Sequence, residues 1–175
     1  MSSRSARRHG CRRLKGEPEA IWQALTDPEW IGRYGYGSRV DLELRSGGVY
    51  RANSTEEMLA FGAPPVMVEG EVLDVDAPHR LVQTWHALFE PKTAAEAVTR
   101  LIYELEPLKS GVTKLTVTHE LDDAPVTAAI VGGWGWILSD LKTLLETGSP
   151  LPRQLWRTHE DEAPEDGAPS SLSRR

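Results

Sequence analysis

Among the five histidines of the chain, His119 has the neighbours that best suggest an interior chemical role. It follows Leu115 and Val117 at two-residue spacing, whereas Lys114 and Glu120 occupy the alternate positions. Residues two apart in a strand share a face, so His119 should lie on the apolar side of a sheet. It is then either a hydrogen-bonded core residue or a polar anchor for a ligand. Because burial disfavours the imidazolium cation, we expect a neutral ring at pH 7.

Aromatic side chains are the other candidate ligand contacts. Trp85 alternates with His86, and we place Trp85 on the inner side. The glycine-rich stretch 132–136 makes Trp134 either a core residue or a wall beside space left by missing side chains, since each helical glycine costs about 1 kcal/mol relative to alanine. Trp30, Tyr34 and Tyr36 either gate the mouth of a ligand pocket or pack on the rim of the sheet. The predicted ligand-binding residues are Trp30, Tyr34, Tyr36, Trp85, Tyr103, Val117, His119, Trp134 and Leu138.

No catalytic motif accompanies these residues in the sequence. There is no Gly-x-Ser-x-Gly, no Walker loop, no Cys-x-x-Cys and no second histidine at zincin spacing after His119. Glu69 and Glu71 share a strand face, as solvated carboxylates often do; a general acid/base pair is the alternative. We therefore predict no catalytic residue, no metal site and no cofactor.

Charge and hydropathy exclude several classes of partner. Residues 16–147 carry 10 basic and 21 acidic residues, a net charge of −11 that would repel nucleic acid. The longest nearly apolar stretch, 128–138, is shorter than the roughly 18–20 residues that span a bilayer. The single cysteine, Cys11, permits no intramolecular disulfide, which fits a cytoplasmic protein.

Hydrophobic periodicity predicts two helices followed by a meander of strands. The helical pattern covers 17–34 and breaks where Asp27 can cap a second, short helix that starts at Pro28 and ends near Gly35. Segments 55–65 and 90–95 are predicted loops. Strands are predicted over 40–44, 49–54, 66–75, 80–89, 97–108 and 112–121, and short turns between them imply an antiparallel sheet.

A long last helix should cover the apolar face of this sheet. Apolar residues at helical spacing over 125–147 predict a helix about 35 Å long, which ends at Gly148. Segment 1–13 is basic and is either flexible or a degenerate first strand. The predicted domain is 14–150, and the polar segment 151–175 is predicted to be disordered.

Two runs of sequence resemble one known family. The first is Ile21–Glu29 (IWQALTDPE), followed by Tyr34 and Gly37; the second is Gly132–Gly148 (GGWGWILSDLKTLLETG). Between them, 70–73, Pro78, 80–82, 84–85 and 118–119 are also similar to the family. The similarity covers roughly residues 15–150 and is to bacterial homologues of the activator of heat-shock-protein-90 ATPase, within the SRPBCC (START-like) superfamily.

This resemblance implies an α+β helix-grip fold, with a curved antiparallel sheet of about seven strands, two short helices and one long C-terminal helix over a cavity. The family begins with an apolar first strand, whereas the corresponding segment here, 7–15, is basic.

We expect a non-enzymatic domain that binds a small hydrophobic molecule between sheet and helix. Two alternatives stay open: a cyclase- or hydrolase-type enzyme acting on a hydrophobic substrate, and a chaperone-interacting protein that activates an ATPase. A homodimer is a further candidate assembly. No nucleic acid and no membrane span are expected.

Overall fold

A computed structural model describes residues 7–130 and 134–152. The strands are Arg7–Lys15 (β1), Arg39–Leu42 (β2), Val49–Asn53 (β3), Val66–Asp76 (β4), Arg80–Ala87 (β5), Thr99–Leu108 (β6) and Val112–Glu120 (β7). The helices are Pro18–Thr26 (α1), Pro28–Ile31 (α2), Glu56–Ala60 (α3), Pro91–Ala94 (α4), Pro125–Ile130 (α5) and Trp134–Thr147 (α6).

The seven strands form one antiparallel sheet in the order β1-β7-β6-β5-β4-β3-β2. Register shifts at Ala52/Asn53 and between Val72 and Asp74 interrupt the ladders on both sides of β4. Irregularities of this kind bend strands and increase their twist. The predicted α+β fold, with a curved seven-stranded sheet and a C-terminal helix, is confirmed.

The basic segment at the start of the sheet forms a full strand. β1 pairs with β7 from Arg7, opposite Glu120, to Lys15, opposite Val112. β1 lies at the edge of the sheet, where strands commonly carry charged side chains. The Arg8 guanidinium donates to the Ala128 carbonyl at 3.0 Å, so a charged side chain of β1 bonds to helix α5.

Two short helices occupy segments predicted to be loops. Helix α3 starts at a capping threonine, since Thr55 Oγ1 accepts a hydrogen bond from the Met58 amide at 3.2 Å. Met58 then lies in the hydrophobic core. Helix α4 begins at Pro91, a residue whose fixed φ suits a first helical position. Both helices are four or five residues long, too short to produce a visible hydrophobic period.

The predicted helix over 125–147 is represented by α5 and α6, which flank residues 131–133. Those three residues, and with them the predicted role of Gly132 and Gly133, lie outside the described part of the chain. The predicted disordered segment is described only at Leu151 and Pro152. Helix α5 is capped from a loop: the Glu96 carboxylate accepts from the amides of Val126 and Thr127 at 2.7 and 2.8 Å.

The hydrophobic core lies between helix α6 and one face of the sheet, here called the inner face. Leu138, Leu141 and Leu144 of α6 are fully or almost fully buried against it. Burying each such side chain stabilises the fold by roughly 1.5–3 kcal/mol. From the sheet the core receives, among others, Val72, Leu81, Leu101, Leu105, Leu115 and Val117.

A buried carboxylate ties α6 to two segments that are distant in sequence. Asp140 is 1% exposed; one of its oxygens accepts from the Gly35 amide at 2.8 Å and the other from the Leu151 amide at 2.5 Å. Hydrogen bonds to a charged group are stronger than neutral ones. Asp140 therefore fixes both the loop after α2 and the segment after α6.

We expect Asp140→Ala to lower the free energy of unfolding by about 2–4 kcal/mol, because the buried Gly35 amide and the part-buried Leu151 amide lose their acceptor. Urea unfolding followed by circular dichroism measures the change. Thr143→Ala is the control on the same helix: its hydroxyl bonds only to the Ser139 carbonyl one turn back, and its removal should change stability by about 0.5 kcal/mol or less. Equal stability of the two variants would contradict a clamp at Asp140.

Candidate functional site

The inner face carries polar side chains in an otherwise apolar surface. His119, Leu101 and Gln83 stand directly opposite one another on β7, β6 and β5. In the next row Tyr103 stands opposite Val117 and Leu81. Neighbouring strands are about 4.8 Å apart, so the Cα atoms of His119 and Gln83 lie about 10 Å from each other.

His119 is fully buried and hydrogen-bonded at both ring nitrogens. The Trp134 indole Nε1 donates to His119 Nδ1 at 3.4 Å, and His119 Nε2 lies 2.8 Å from Thr99 Oγ1. An indole N–H can only donate, so Nδ1 must be the acceptor and Nε2 must carry the proton. The Thr99 hydroxyl then accepts from His119 Nε2 and donates its own hydrogen bond to the Trp85 carbonyl at 2.6 Å. The chain of bonds requires a neutral imidazole.

Burial has a matching electrostatic effect. Desolvation lowers the pKa of His119 to about 4 from its ordinary value of 6.5. The ring is therefore neutral at pH 7, as predicted, and lies on the predicted face of the strand. Both nitrogens already have protein partners, an arrangement that favours the core-residue interpretation over a free polar anchor.

Aromatic rings surround this histidine. The edge of Trp85 approaches the His119 ring at a centroid distance of 4.9 Å, and Trp134 lies 6.3 Å from the same ring. Tyr103 meets Trp134 edge-on at 6.1 Å. Edge-to-face contacts at these distances are favourable beyond the area that they bury. Together the three rings form an aromatic wall between sheet and helix.

Three tyrosines, Tyr34, Tyr50 and Tyr103, form a second polar group that we call the phenol cluster. Burial raises the pKa of all three hydroxyls, that of Tyr50 to about 12, and the proximity of the other phenols raises those of Tyr34 and Tyr103 further. The charge of Asp140 adds to the rise at Tyr34. All three phenols are thus neutral at physiological pH.

Members of the cluster differ in accessibility. Tyr34 is buried, and its hydroxyl donates to the Ala24 carbonyl at 3.0 Å. Tyr50 and Tyr103 are only partly buried, as is Trp134, although all three pack against the core. The inner face is therefore not closed over these side chains.

Gln83 lies beside the phenol cluster with its polar group incompletely paired. The residue is 1% exposed. Its amide is close enough to the Tyr50 hydroxyl to lower the pKa of that group against the larger rise caused by burial. Yet Nε2 has no partner in the described structure that meets hydrogen-bond geometry. A buried unpaired donor costs roughly 1–3 kcal/mol, which makes Gln83 notable.

Most predicted site residues converge on this region. Trp85, Tyr103, Val117, His119 and Trp134 lie together on the inner face or directly above it.

The remaining predicted residues lie toward the edges of the site. Leu138 sits over β1, where Gly10 leaves room for it: a Cβ there would come within 2.7 Å of Leu138 Cδ1. Trp30 is partly buried, with the Arg33 guanidinium 4.5 Å above its ring. Tyr36 is 43% exposed, and its ring contacts that of Trp136 at 5.5 Å.

Sequence reasoning missed Tyr50 and Gln83. Gln83 could have been found by strand phase, because it alternates with Leu81 and Trp85. Tyr50 could have been found in the same way, because Tyr50 and Ala52 alternate with Arg51 and Asn53 in β3. Within the described residues, no cluster of three histidine, cysteine or acidic side chains could hold a metal ion. Nor is any helix in this part of the chain both long and apolar enough for a membrane span.

Comparison with known proteins identifies a family whose profile the chain matches. The profile of the family described as "Activator of Hsp90 ATPase homolog 1-like protein" matches residues 15–146. Among curated protein sequences none matches the chain.

Solved structures with the same fold include three informative examples. PFC0360w, an HSP90 activator from Plasmodium falciparum, is 20% identical with a TM-score of 0.62, over 80% of this chain and 96% of that one. CalU16 from Micromonospora echinospora is 20% identical with a TM-score of 0.61, over 83% and 77%. The Aha1 dimer from Colwellia psychrerythraea is 17% identical with a TM-score of 0.60, over 81% and 97%. At these identities the likeness concerns the fold.

The depressed pKa of His119 predicts a specific loss of stability in acid. An unfolded histidine titrates near 6.5 and the folded one near 4, so the unfolded chain binds the proton first as pH falls. Above about pH 6.5 the His119 ring is neutral in both the folded and the unfolded chain, so it does not change the free energy of unfolding with pH. Between about pH 6.5 and pH 4 it should lower the free energy of unfolding by about 3 kcal/mol in total.

Denaturant unfolding at pH 7.0 and pH 4.5 tests this expectation against His119→Leu. The wild type should lose about 2–3 kcal/mol more than the variant over that interval, because the other titrating groups are common to both proteins. Parallel losses would show that the ring is not kept neutral by burial.

Proposed function

The chain belongs to the Activator of Hsp90 ATPase homolog 1-like family, and from this premise we propose that it binds a small hydrophobic molecule in a cavity between the inner face and helix α6. The observation that carries the proposal is that Tyr50, Tyr103 and Trp134, which pack against the buried core between sheet and helix, are themselves only partly buried. Apolar walls with a few polar groups are what small-molecule sites require.

The aromatic wall would supply most of the binding energy. Trp85 and Trp134 have large apolar rings; the Trp134 indole is held by its hydrogen bond to His119, and the Trp85 ring packs against the same imidazole. Rings that are already ordered lose little conformational freedom when a ligand binds, which favours affinity. His119 then acts by holding the wall in place, while the hydroxyls of Tyr50 and Tyr103 are the polar contacts offered to the ligand.

Several features of the site favour binding over catalysis. A general base should have a pKa near the working pH. The pKa of His119 is lowered to about 4 by burial, and both of its nitrogens are engaged. The pKa values of the phenol cluster are shifted in the opposite direction, away from neutrality. The carboxylate of Asp140 already accepts two backbone hydrogen bonds.

Association with a chaperone ATPase is a second candidate, favoured by the family description and by the printed function of the Plasmodium relative. Homodimer formation is a related proposal, which the dimeric Colwellia relative supports. The cytoplasmic location stays a prediction.

The cavity can be tested with N-phenyl-1-naphthylamine, an uncharged probe whose fluorescence rises in apolar surroundings. We expect saturable binding to the native protein with micromolar affinity. Trp134→Ala should weaken it about tenfold or more, because it removes a wall of the site. Trp136→Ala is the matched control, since that ring contacts Tyr36 instead of His119. Fluorescence that rises only when the protein is partly unfolded would exclude the cavity.

The chaperone candidate predicts a different result. Excess protein should then raise the rate of ATP hydrolysis by a purified heat-shock protein 90, measured with a coupled assay. An unchanged rate, together with no association by analytical ultracentrifugation, would remove this candidate and leave ligand binding unaffected.

A further inference from the structure

The polar groups of the inner face fall into two sets with different hydrogen-bond status. In the His119 chain every donor has an acceptor, ending at the Trp85 carbonyl. In the phenol cluster Tyr34 donates to a protein partner, the Ala24 carbonyl. Within residues 7–130 and 134–152 neither the Tyr50 nor the Tyr103 hydroxyl donates a hydrogen bond to another residue, and the Gln83 amide lies close to the Tyr50 hydroxyl.

The polar groups without a protein acceptor can all donate hydrogen bonds. Gln83 Nε2 is a buried donor without an acceptor among the described residues. The nearby Tyr50 hydroxyl carries an O–H that can donate to a further acceptor. Tyr103, across the inner face from Tyr50, adds a second O–H. The accessible polar groups of the site can therefore donate hydrogen bonds to a ligand.

The charges around the cluster act against an anionic ligand. Among the described residues, the carboxylate of Asp140 is a buried negative charge close enough to raise the pKa of Tyr34. A buried carboxylate without a paired cation is costly to desolvate. Nearby negative charge at Asp140 would raise that cost.

We propose that the site selects an uncharged, flat hydrophobic molecule with a carbonyl-type oxygen, which accepts hydrogen bonds from the hydroxyls of Tyr50 and Tyr103, and that it rejects carboxylates of the same size. The inference rests on the proposed function, because it concerns the occupant of the same cavity. It specifies the chemical class of that occupant: ketones, quinones or esters instead of acids or pure hydrocarbons.

Three naphthalenes of similar size test the selection. They are 2-acetylnaphthalene, which carries a neutral carbonyl, 2-naphthoate, which is an anion, and 2-ethylnaphthalene, which has no polar atom. Isothermal titration calorimetry at pH 7.5 gives their dissociation constants for the wild type and for Tyr50→Phe and Tyr103→Phe. Each substitution removes one hydroxyl and keeps the ring, and near-ultraviolet circular dichroism confirms that the variants are folded.

We expect each variant to bind 2-acetylnaphthalene about 5–10 times more weakly than the wild type does, which is the loss of one hydrogen bond. Binding of 2-ethylnaphthalene should change less than about twofold. The wild type should bind 2-naphthoate at least about tenfold more weakly than the ketone. Thr116→Val is the matched control, because it also removes a hydroxyl but alternates with the buried Val117 and so lies on the opposite face of β7, and it should leave all three constants within about twofold.

Two outcomes overturn this inference while the proposed function stands: 2-naphthoate binds as tightly as the ketone, or both tyrosine variants weaken the ketone and the hydrocarbon equally. If none of the three compounds binds and N-phenyl-1-naphthylamine also fails, the proposed function falls and the inference falls with it. The two failures are therefore distinguishable.

Discussion

A buried chain of hydrogen bonds through His119 determines how the C-terminal helix lies on the sheet. It begins at Trp134 on α6 and ends at the Trp85 carbonyl on β5. An imidazole inside the core must have both nitrogens paired, or the fold loses roughly 1–3 kcal/mol for each unpaired group. The condition is met only when the ring is neutral and α6 brings its indole within reach of β7. The position of the aromatic wall follows from this requirement.

Other polar contacts hold α6 from different directions. Arg12 of β1 donates to the Gly135 carbonyl at 3.0 Å, and Lys142 of the helix donates to the Arg13 carbonyl at the same distance. Asp140 fixes the loop at Gly35. The buried leucines of α6 supply the larger share of the stabilisation, but apolar contacts have little directional preference. Polar residues thus specify where the helix lies, and β1 can be basic because its arginines take part in this task.

The buried face of a strand could be predicted from the sequence where apolar and polar residues alternate clearly along it. In β7, one set of alternate residues contains Leu115 and Val117 and the other carries Lys114 and Glu120, so the buried face could be identified correctly. In β3, Tyr50 and Ala52 alternate with Arg51 and Asn53, so the same reasoning could have placed Tyr50 on the inner face. Asp140, by contrast, could not be recognised, because a helical aspartate is normally solvated and its two amide partners come from segments distant in sequence. The short helices α3 and α4 lack a period altogether.

The same limit explains why the family could be identified before the chemistry of the site. A fold depends on runs of apolar residues, which have a pattern, whereas a site depends on a few polar residues whose partners are set by tertiary contacts. On the inner face the decisive difference is between a histidine whose hydrogen bonds are complete and a Gln83 amide whose donor is left without a partner. Both residues look alike in sequence, as single polar residues on an apolar strand face. Only the contacts of the folded chain separate the group that supports the wall from the groups left to face a ligand.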